Sequence, residues 1–395
     1  MRRVRRRIGV FTATRAEFGL LRPVIAALEA SATLEPAVIV SGAHLSERHG
    51  LTVRDIETEG VVIAARVPVP LVSDRPVDIA ADMAATLAGC AETYAALELD
   101  AVLMLGDRTE LLAAAAAAVP LALPIIHLEG GHLTHGAVDD SIRHAVSKLA
   151  ALHFTAAEPY RRRLIQMGEA PERVFTVGST AADNLKAFGR RTRAEVETEL
   201  GLDLASGFIL ATFHPETLGA TPPEAQIDAF LAGLEEGRSG RKVLITLPNA
   251  DAGSDAVRVR IETWAAANAD WVTARTSLGA RLYLAALTAS DAVAGNSSSG
   301  VIEAPIAGIP CVNIGERQAG RLRPPGVIDA ALEAGAIAEA LRRALDPAFR
   351  AEAAEASPPF GDGRTAERVV TVLEAADFAG LARKPFVDRT AAEAE

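Results

Sequence analysis

The chain alternates short, continuously apolar runs with helix-like segments along almost its whole length. Because the apolar residues in these runs are continuous rather than alternating with polar ones, the strands are expected to be buried on both faces, as in a parallel sheet covered by helices. Twelve runs have the length and composition of such strands: 8–14, 36–42, 61–67, 100–107, 120–128, 151–157, 173–179, 207–215, 241–249, 271–275, 291–296 and 310–314. The pattern predicts an α/β fold of two doubly wound, Rossmann-like halves.

The two halves are separated by a charged stretch that runs from Arg190 to about Asp203. With 395 residues the chain is too long for one ordinary hydrophobic core. We therefore predict an N-terminal domain over 1–190, a C-terminal domain over 200–375 and a tail over 376–395. Ligands of doubly wound sheets bind beyond the carboxyl ends of the strands, so the cleft between the domains is the expected site.

The composition excludes several classes of function. A net charge of −11 and an aromatic content of 4% argue against nucleic acid as a partner. Every apolar run is too short or too interrupted for a membrane span, and the start, MRRVRRR, is followed too soon by charge to be a signal peptide. The two cysteines frame no motif, which favours a reducing, cytoplasmic location.

Polar side chains follow two predicted strands of the first half. Arg15 stands where a helix would begin after the first strand, and an arginine there favours anion binding, with a solvated turn as the alternative. Asp107 and Arg108 end the strand DAVLMLGD. Taken alone, Asp107 is typical of a helix N-cap.

The segment HLEGGHLTHGAVDDSIRH (127–144) holds four of the eight histidines of the chain. Glu129 ends a buried strand, whereas Asp139 or Asp140 can cap the following helix and pair with Arg143 on one helix face. A zinc or manganese hydrolase is an alternative interpretation. We expect no metal, because standard spacings such as HExxH are missing.

Three polar residues end strands of the second half. His214 follows the strand GFILATFHP, at the point where a loop toward the presumed cleft would open. Asn249 and Asp251 follow the strand RKVLITLPN. These positions are candidates for the other wall of the site.

The stretch DAVAGNSSSGVIE (291–303) is the most informative of the second half. Its small residues would let the backbone approach a ligand, and Ser297 and Ser298 could hold a diphosphate. Glu303 could accept hydrogen bonds from ribose hydroxyls or, alternatively, belong to a capping box with Ser299 or Gly300. The stretch matches neither a Walker loop nor GxGxxG, which argues against an ATPase and an NAD-dependent dehydrogenase.

Eight motifs together resemble the hydrolysing branch of the UDP-N-acetylglucosamine 2-epimerases, which serves the synthesis of nonulosonic (sialic-type) acids. They are TRAEFGLL, LGDRTE, HLEGG, DDSIRHAVSKLAALHF, FHPE, LPNADAGS, GNSSSGVIE and GIPCVNIGERQAGR, in the order of the family between residues 8 and 321. The resemblance implies a glycosyltransferase-B fold with the active site in the interdomain cleft. It also implies conversion of UDP-N-acetylglucosamine and water to UDP and N-acetylmannosamine, by elimination of UDP and hydration of a glycal, without a cofactor.

The resemblance also implies roles for the candidate residues. Carboxylates would stabilise charge at C1 and move protons, Arg143 would hold them, and His214 would assist the departing diphosphate. Which carboxylate takes the C2 proton stays open. The implied catalytic residues are Asp107, Glu129, Asp139, Asp140, Arg143 and His214. The implied substrate-binding residues are Arg15, Arg108, Asn249, Asp251, Ser297, Ser298, Glu303 and Arg321.

Position 132 departs from the family, because relatives often carry a carboxylate after HxxGG and this chain has His132. That leaves open whether position 132 contacts the sugar. The alternatives are a UDP-2,4-diacetamido-2,4,6-trideoxy sugar or a GDP-linked sugar as substrate, a glycosyltransferase of the same fold, and a non-catalytic nucleotide-sugar sensor. The family implies a homodimer or homotetramer.

Overall fold

The computed structural model describes residues 5–135, 137–216, 221–248 and 252–388. The chain divides into two compact units. The first unit contains the described residues of 5–132, 139–184 and 360–388, and the second those of 133–138 and 185–359. In these residues no helix is both long and apolar enough to cross a lipid bilayer.

The first unit is built on a parallel sheet. Among its described residues the sheet has seven strands: β1 (Arg6–Thr12), β2 (Leu34–Ser41), β3 (Ile63–Val67), β4 (Ala101–Leu105), β5 (Ile125–Leu128), β6 (Leu152–Thr155) and β7 (Val174–Thr176). The strand order is β3-β2-β1-β4-β5-β6-β7, so the order reverses between β1 and β4. In a doubly wound sheet this reversal opens a crevice at the carboxyl ends of the strands.

Helices cover both faces of this sheet. In the first part of the chain they are α1 (Arg15–Ala30), α2 (Val53–Thr58), α3 (Pro76–Leu97), α4 (Thr109–Ala118), α5 (Asp139–Leu149), α6 (Glu158–Gln166) and α7 (Thr180–Phe188). All five residues of β4 are buried, as its uninterrupted apolar sequence predicts. Successive β1 residues pack on opposite sides, with Val10 in one core cluster and Phe11 in the other.

The second unit repeats the design. Its described strands are β8 (Phe208–Thr212), β9 (Lys242–Thr246), β10 (Val272–Arg275), β11 (Ala292–Gly295), β12 (Cys311–Ile314) and β13 (Val327–Ala330), in the order β10-β9-β8-β11-β12-β13. The helices that follow α7 are α8 (Arg193–Leu200), α9 (Pro223–Gly237), α10 (Ser254–Ala267), α11 (Gly279–Ala289), α12 (Ser298–Val301), α13 (Glu303–Ala307), α14 (Ala334–Ala344), α15 (Pro347–Glu355), α16 (Thr365–Ala375) and α17 (Phe378–Leu381). Here the order reverses between β8 and β11.

All twelve predicted strands are present, and the described residues contain a further strand, β13, that was not predicted. This strand is at the edge of its sheet and pairs with β12 alone. Only Ile328 of its four residues is buried, so the stretch lacks the continuous apolar run that marks the other strands.

The units differ from the predicted domain boundaries at the C-terminal end. Helices α16 and α17 belong to the first unit, whereas the prediction placed α16 in the second domain and α17 in the tail. Val369 and Leu373 of α16 share a core cluster with Leu21 of α1. The apolar stripe of α16 predicts an amphipathic helix, but it does not tell which sheet the stripe covers.

Candidate active site

In the first unit, Asp107 and Asp140 meet at the buried side chain of Arg143 on α5. The Nε atom of Arg143 donates to Asp107 Oδ2 at 2.9 Å, and Nη2 contacts the same oxygen. Nη1 donates to Asp140 Oδ1 at 3.0 Å and to the carbonyl oxygen of His132 at 3.1 Å. Burial would lower the pKa of Arg143, but the charge of Asp107 and its hydrogen bond raise it above the usual value.

Three neighbouring segments supply these groups. Asp107 follows β4 after Gly106, whose φ of +94° turns the chain, and Asp140 is in the first turn of α5. The predicted helix spacing of Asp140 and Arg143 is therefore confirmed. The alternative of Asp107 as an N-cap is wrong: Arg108 occupies the cap position of α4, and Asp107 binds Arg143.

Glu129 directly follows β5 and has a φ of +63°. A non-glycine residue in this left-handed region is uncommon, and such residues persist where the surroundings fix them. Glu129 Oε2 is 2.8 Å from His132 Nε2. Asp139 is the first residue of α5, and its charge contributes to the raised pKa of Arg143.

His127 connects the segments that carry these carboxylates, and no role was predicted for it from the sequence. Its Nε2 atom is 2.7 Å from the carbonyl oxygen of Gly106, and Nδ1 is 3.1 Å from Ser147 Oγ on α5. Burial lowers the pKa of His127 to about 4, so the ring is neutral near pH 7. It then donates from Nε2 to the carbonyl and accepts the Ser147 hydroxyl at Nδ1. The sequence does contain a signal for this role, because His127 is a polar residue inside an apolar strand, two residues before Glu129.

The end of β1 forms a separate group. Arg15 begins α1, as predicted, and its Nη2 atom is 3.2 Å from Asp55 Oδ2. Thr14 and Glu17 form a capping box at this helix. Burial and the nearby charge of Glu110 raise the pKa of Glu17 to about 8, so this carboxyl is mostly protonated near pH 7. Arg15 is therefore paired with Asp55 of α2.

In the second unit, His214 follows β8 and Asn296 follows β11. The backbone N–H of His214 donates to Asn296 Oδ1 at 2.7 Å, and Asn296 Nδ2 donates to the His214 carbonyl at 2.7 Å. Gly295, with a φ of +138°, lies so close to Thr212 that a Cβ would collide with the Thr212 carbonyl oxygen. The glycine therefore permits the close approach of the two strand ends.

The serine-rich stretch after Asn296 forms two short helices instead of one. Ser297 is the N-cap of α12, and its hydroxyl accepts the Ser299 N–H at 3.4 Å. Ser298 begins α12 and Glu303 begins α13, after a break at Ile302. The capping-box alternative is wrong, because Ser299 and Gly300 lie within α12 and neither is the N-cap of the helix that Glu303 begins.

Ser299 has a second partner in α11. The Tyr283 hydroxyl donates to Ser299 Oγ at 2.8 Å, and burial together with the charge of Glu303 raises the pKa of Tyr283. Tyr283 therefore stays a neutral donor at ordinary pH. This contact fixes the interior of α12 while Ser297 and Ser298 remain partly exposed.

The turn GERQ (315–318) contacts the backbone of Asn296. Arg317 Nη1 and Gln318 Nε2 both donate to the Asn296 carbonyl, at 3.2 Å and 2.9 Å. Glu216 Oε1 accepts the N–H groups of Glu316 and Arg317, at 2.6 Å and 3.2 Å. Sequence reasoning assigned no role to Glu216, Asn296, Arg317 or Gln318, although all four lie in the motifs that carried the resemblance.

Three predicted binding residues of the second unit remain, namely Arg321, Asn249 and Asp251. Arg321 follows the same turn, and its N–H donates to the Gln318 carbonyl at 3.2 Å. Asn249 and Asp251 lie outside the described residues. Within the residues that the structure describes, no three His, Cys, Asp or Glu side chains converge as metal ligands would.

Comparison with known proteins places the chain among sugar-nucleotide enzymes. Residues 26–374 match a family model described as UDP-N-acetylglucosamine 2-epimerase. The chain is 35% identical over 325 residues to the GDP/UDP-N,N'-diacetylbacillosamine 2-epimerase (hydrolyzing) of Campylobacter jejuni, covering 82% of this chain and 84% of that protein. It is 34% identical over 370 residues to the UDP-N,N'-diacetylbacillosamine 2-epimerase (hydrolyzing) of Legionella pneumophila, covering 93% and 96%.

A solved structure shares the fold. It is the UDP-GlcNAc 2-epimerase from Neisseria meningitidis bound to UDP-GlcNAc, with a TM-score of 0.78 and 18% identity, covering 94% of this chain and 100% of that one. At this identity the likeness concerns the fold alone. It confirms the predicted fold class, an α/β protein of the glycosyltransferase-B type with two doubly wound parallel sheets.

Proposed function

Because the chain belongs to the UDP-N-acetylglucosamine 2-epimerase family, we propose that it is a hydrolysing 2-epimerase of nonulosonic acid synthesis. It converts a UDP-linked 2-acetamido sugar and water to UDP and the free sugar inverted at C2. The observation that carries this proposal is the position of Arg143, whose buried side chain binds the partly exposed carboxylates of Asp107 and Asp140. An arginine that holds two carboxylates supports their use as positioned groups in the reaction rather than as surface charges.

The reaction needs these groups because the C2 proton is weakly acidic. In the first step the C1–O bond breaks, its electron pair leaves with UDP, and a carboxylate takes the C2 proton, which gives a C1=C2 glycal. In the second step a carboxylic acid returns a proton to C2 from the opposite face, water bonds through its oxygen to C1, and a carboxylate takes the proton that the water loses. Asp107, Glu129 and either Asp139 or Asp140 stabilise the positive charge that develops at C1 and transfer these protons.

The second unit binds the nucleotide in this proposal. His214 stabilises or protonates the departing diphosphate, and its backbone is held by Asn296. Ser297 and Ser298 bind phosphate oxygens, and Glu303 accepts the ribose hydroxyls. The other binding residues proposed are Arg15, Arg108, Asn249, Asp251 and Arg321.

Two sugars are candidates for the substrate. The motifs of the sequence favour UDP-N-acetylglucosamine, the parent substrate of the family. The two hydrolysing relatives are named for N,N'-diacetylbacillosamine, at 35% and 34% identity, whereas a UDP-N-acetylglucosamine 2-epimerase of Neisseria meningitidis is 30% identical. These names favour UDP-N,N'-diacetylbacillosamine as the preferred substrate of this chain, with UDP-N-acetylglucosamine second.

One experiment tests the reaction and the substrate together. The protein is incubated with each UDP-sugar in deuterated water without an acceptor, and NMR follows UDP release and deuterium at C2. The proposal expects UDP, a free sugar of inverted C2 configuration and one deuterium at C2. UDP release that requires an acceptor would indicate a glycosyltransferase instead, and binding without turnover would indicate a sensor.

A further inference from the structure

The turn from Glu129 to His132 packs against α6. Gly131 has a φ of +80°, and a Cβ there would collide with the carbonyl oxygen of Tyr160, so the turn requires glycine at this position. The Gly131 carbonyl accepts a hydrogen bond from Arg163. These contacts fix the backbone between Glu129 and His132.

The imidazole ring of His132 has two partners, one stacked on its face and one at its Nε2 atom. Its ring stacks on Tyr160 with 3.9 Å between centroids and an interplanar angle of 25°. Its Nε2 atom is 2.8 Å from Glu129 Oε2, and only 1% of the residue is exposed. Its own carbonyl accepts from Arg143 Nη1, the nitrogen that also binds Asp140. His132 therefore contacts Glu129 directly, and it is linked through Arg143 to Asp107 and Asp140.

We propose that His132 is a positioning residue that holds the Glu129 carboxylate and sets the pH range in which Glu129 works, rather than a residue that selects the sugar. The inference rests on the proposed function. An imidazole that donates Nε2–H to Oε2 stabilises the ionised form of the carboxylate. The stack on Tyr160 and the bond from Arg143 fix the ring and its backbone, so the donor keeps one direction. A carboxylate that must exchange protons with C2 depends on both its direction and its protonation state.

Two substitutions separate the hydrogen bond from the packing. His132→Phe keeps an aromatic ring on Tyr160 and removes the donor, whereas His132→Gln keeps an N–H donor and removes the ring. For His132→Phe we expect kcat to fall about 10- to 100-fold and the acidic limb of the pH–rate profile to move up by about one pH unit. KM and UDP affinity should stay within about threefold, and His132→Gln should recover part of kcat. His49→Gln, a change at a histidine that contacts Ser46, is the control.

The results distinguish this inference from the proposed function. A wild-type kcat and pH profile in His132→Phe would overturn it, as would a lower melting temperature with an unchanged profile. A change in the preference between the two UDP-sugars would show that position 132 selects the sugar, which also contradicts it. If the wild type releases UDP from neither sugar, the reaction itself is wrong. Histidine-selective nitrogen-15 NMR then decides the pairing, because Glu129→Gln should shift the His132 Nε2 signal and an unchanged signal would refute the bond.

Discussion

The side-chain amide of Asn296 is paired with the backbone of His214 through both of its polar atoms. Its Oδ1 accepts the His214 N–H, and its Nδ2 donates to the His214 carbonyl, each at 2.7 Å. Asn296 is buried, so both bonds are made without competition from water. This pairing fixes the strand end of β8 relative to that of β11.

Asn296→Asp should therefore disturb His214 and destabilise the second unit. The carboxylate keeps the acceptor but replaces the donor by an oxygen facing the His214 carbonyl, which costs about 1–3 kcal/mol. Denaturant unfolding measures the loss, and calorimetry should show weaker UDP binding. Asn268→Asp, at the partly exposed end of α10, removes one bond to Trp264 and should cost less. Equal losses in the two variants would contradict the role of the pairing.

Arg143→Lys should abolish most turnover while leaving UDP binding intact. A lysine cannot contact Asp107, Asp140 and the His132 carbonyl with one planar group, so the carboxylates lose their common anchor. We expect kcat to fall at least about 100-fold. Arg162→Lys, at an exposed arginine of α6, is the matched control. A kcat within about threefold of the wild type would remove Arg143 from the proposed machinery.

Substitutions in the first unit should lower kcat, whereas a substitution in the second unit should lower the affinity for UDP. Asp107→Asn and Glu129→Gln should each reduce kcat to near background while UDP binding survives, because they remove groups that act on the sugar. Glu303→Ala should weaken UDP affinity, because it removes the acceptor proposed for the ribose. UDP titration and single-turnover assays measure both quantities. A wild-type rate in either carboxylate variant would exclude that residue, and unchanged UDP affinity in Glu303→Ala would exclude the ribose contact.

His127 should make stability depend on pH in the weakly acidic range. Its pKa falls from 6.5 to about 4 on folding, so below pH 6.5 the unfolded chain binds a proton that the folded chain does not. Its stabilising effect is complete above pH 6.5 and is lost as the pH falls toward 4. His127→Gln should be most destabilising at pH 7.5. The difference in unfolding free energy between this variant and the wild type should become smaller by at most about 3 kcal/mol at pH 4. Urea unfolding at several pH values measures this difference, and a constant difference would contradict the neutral ring.

Lys384 should stabilise the helix that carries Asp140 and Arg143. Its Nζ atom donates to the Ser147 and Lys148 carbonyls at the end of α5, at 3.0 Å and 2.7 Å, and is 2.8 Å from the buried Glu169 carboxylate. Lys384→Met should cost about 1–3 kcal/mol in unfolding free energy. Lys242→Met, which removes an ion pair with the exposed Asp203, should cost about 1 kcal/mol or less. Equal effects would show that the C-terminal residues do not support α5.

The stabilisation that Lys384 provides through Glu169 should depend on pH. Burial would raise the pKa of Glu169, but hydrogen bonds from His153, Lys148 and Lys384 lower it from 4.5 to about 2. The stabilisation is therefore complete above pH 4.5 and is lost between 4.5 and 2. The Lys384→Met penalty should accordingly shrink in this range, and a penalty that grows toward low pH would contradict the pairing.

Local patterns predicted most of the fold and the contact between Arg143 and Asp140. Continuous apolar runs predicted the buried strands, and helix spacing predicted that Arg143 meets Asp140. The edge strand β13 was missed because a single buried residue leaves no run of apolar residues. The position of α16 was misjudged because amphipathicity identifies a buried face and not the surface that covers it.

The sequence by itself determined which residue types stand at the strand ends, since strand lengths and turn residues are local properties. Only the tertiary structure decided which of them meet. Asp107 and Arg143 are 36 residues apart and come into contact because β4 and β5 are neighbours and α5 crosses beside them. In the same way His132 follows Glu129 closely in every conformation of the chain, but it becomes the partner of the carboxylate only because Tyr160 and Arg143 hold the turn in place. Pairing over long sequence separations depends on packing, and no local pattern encodes it.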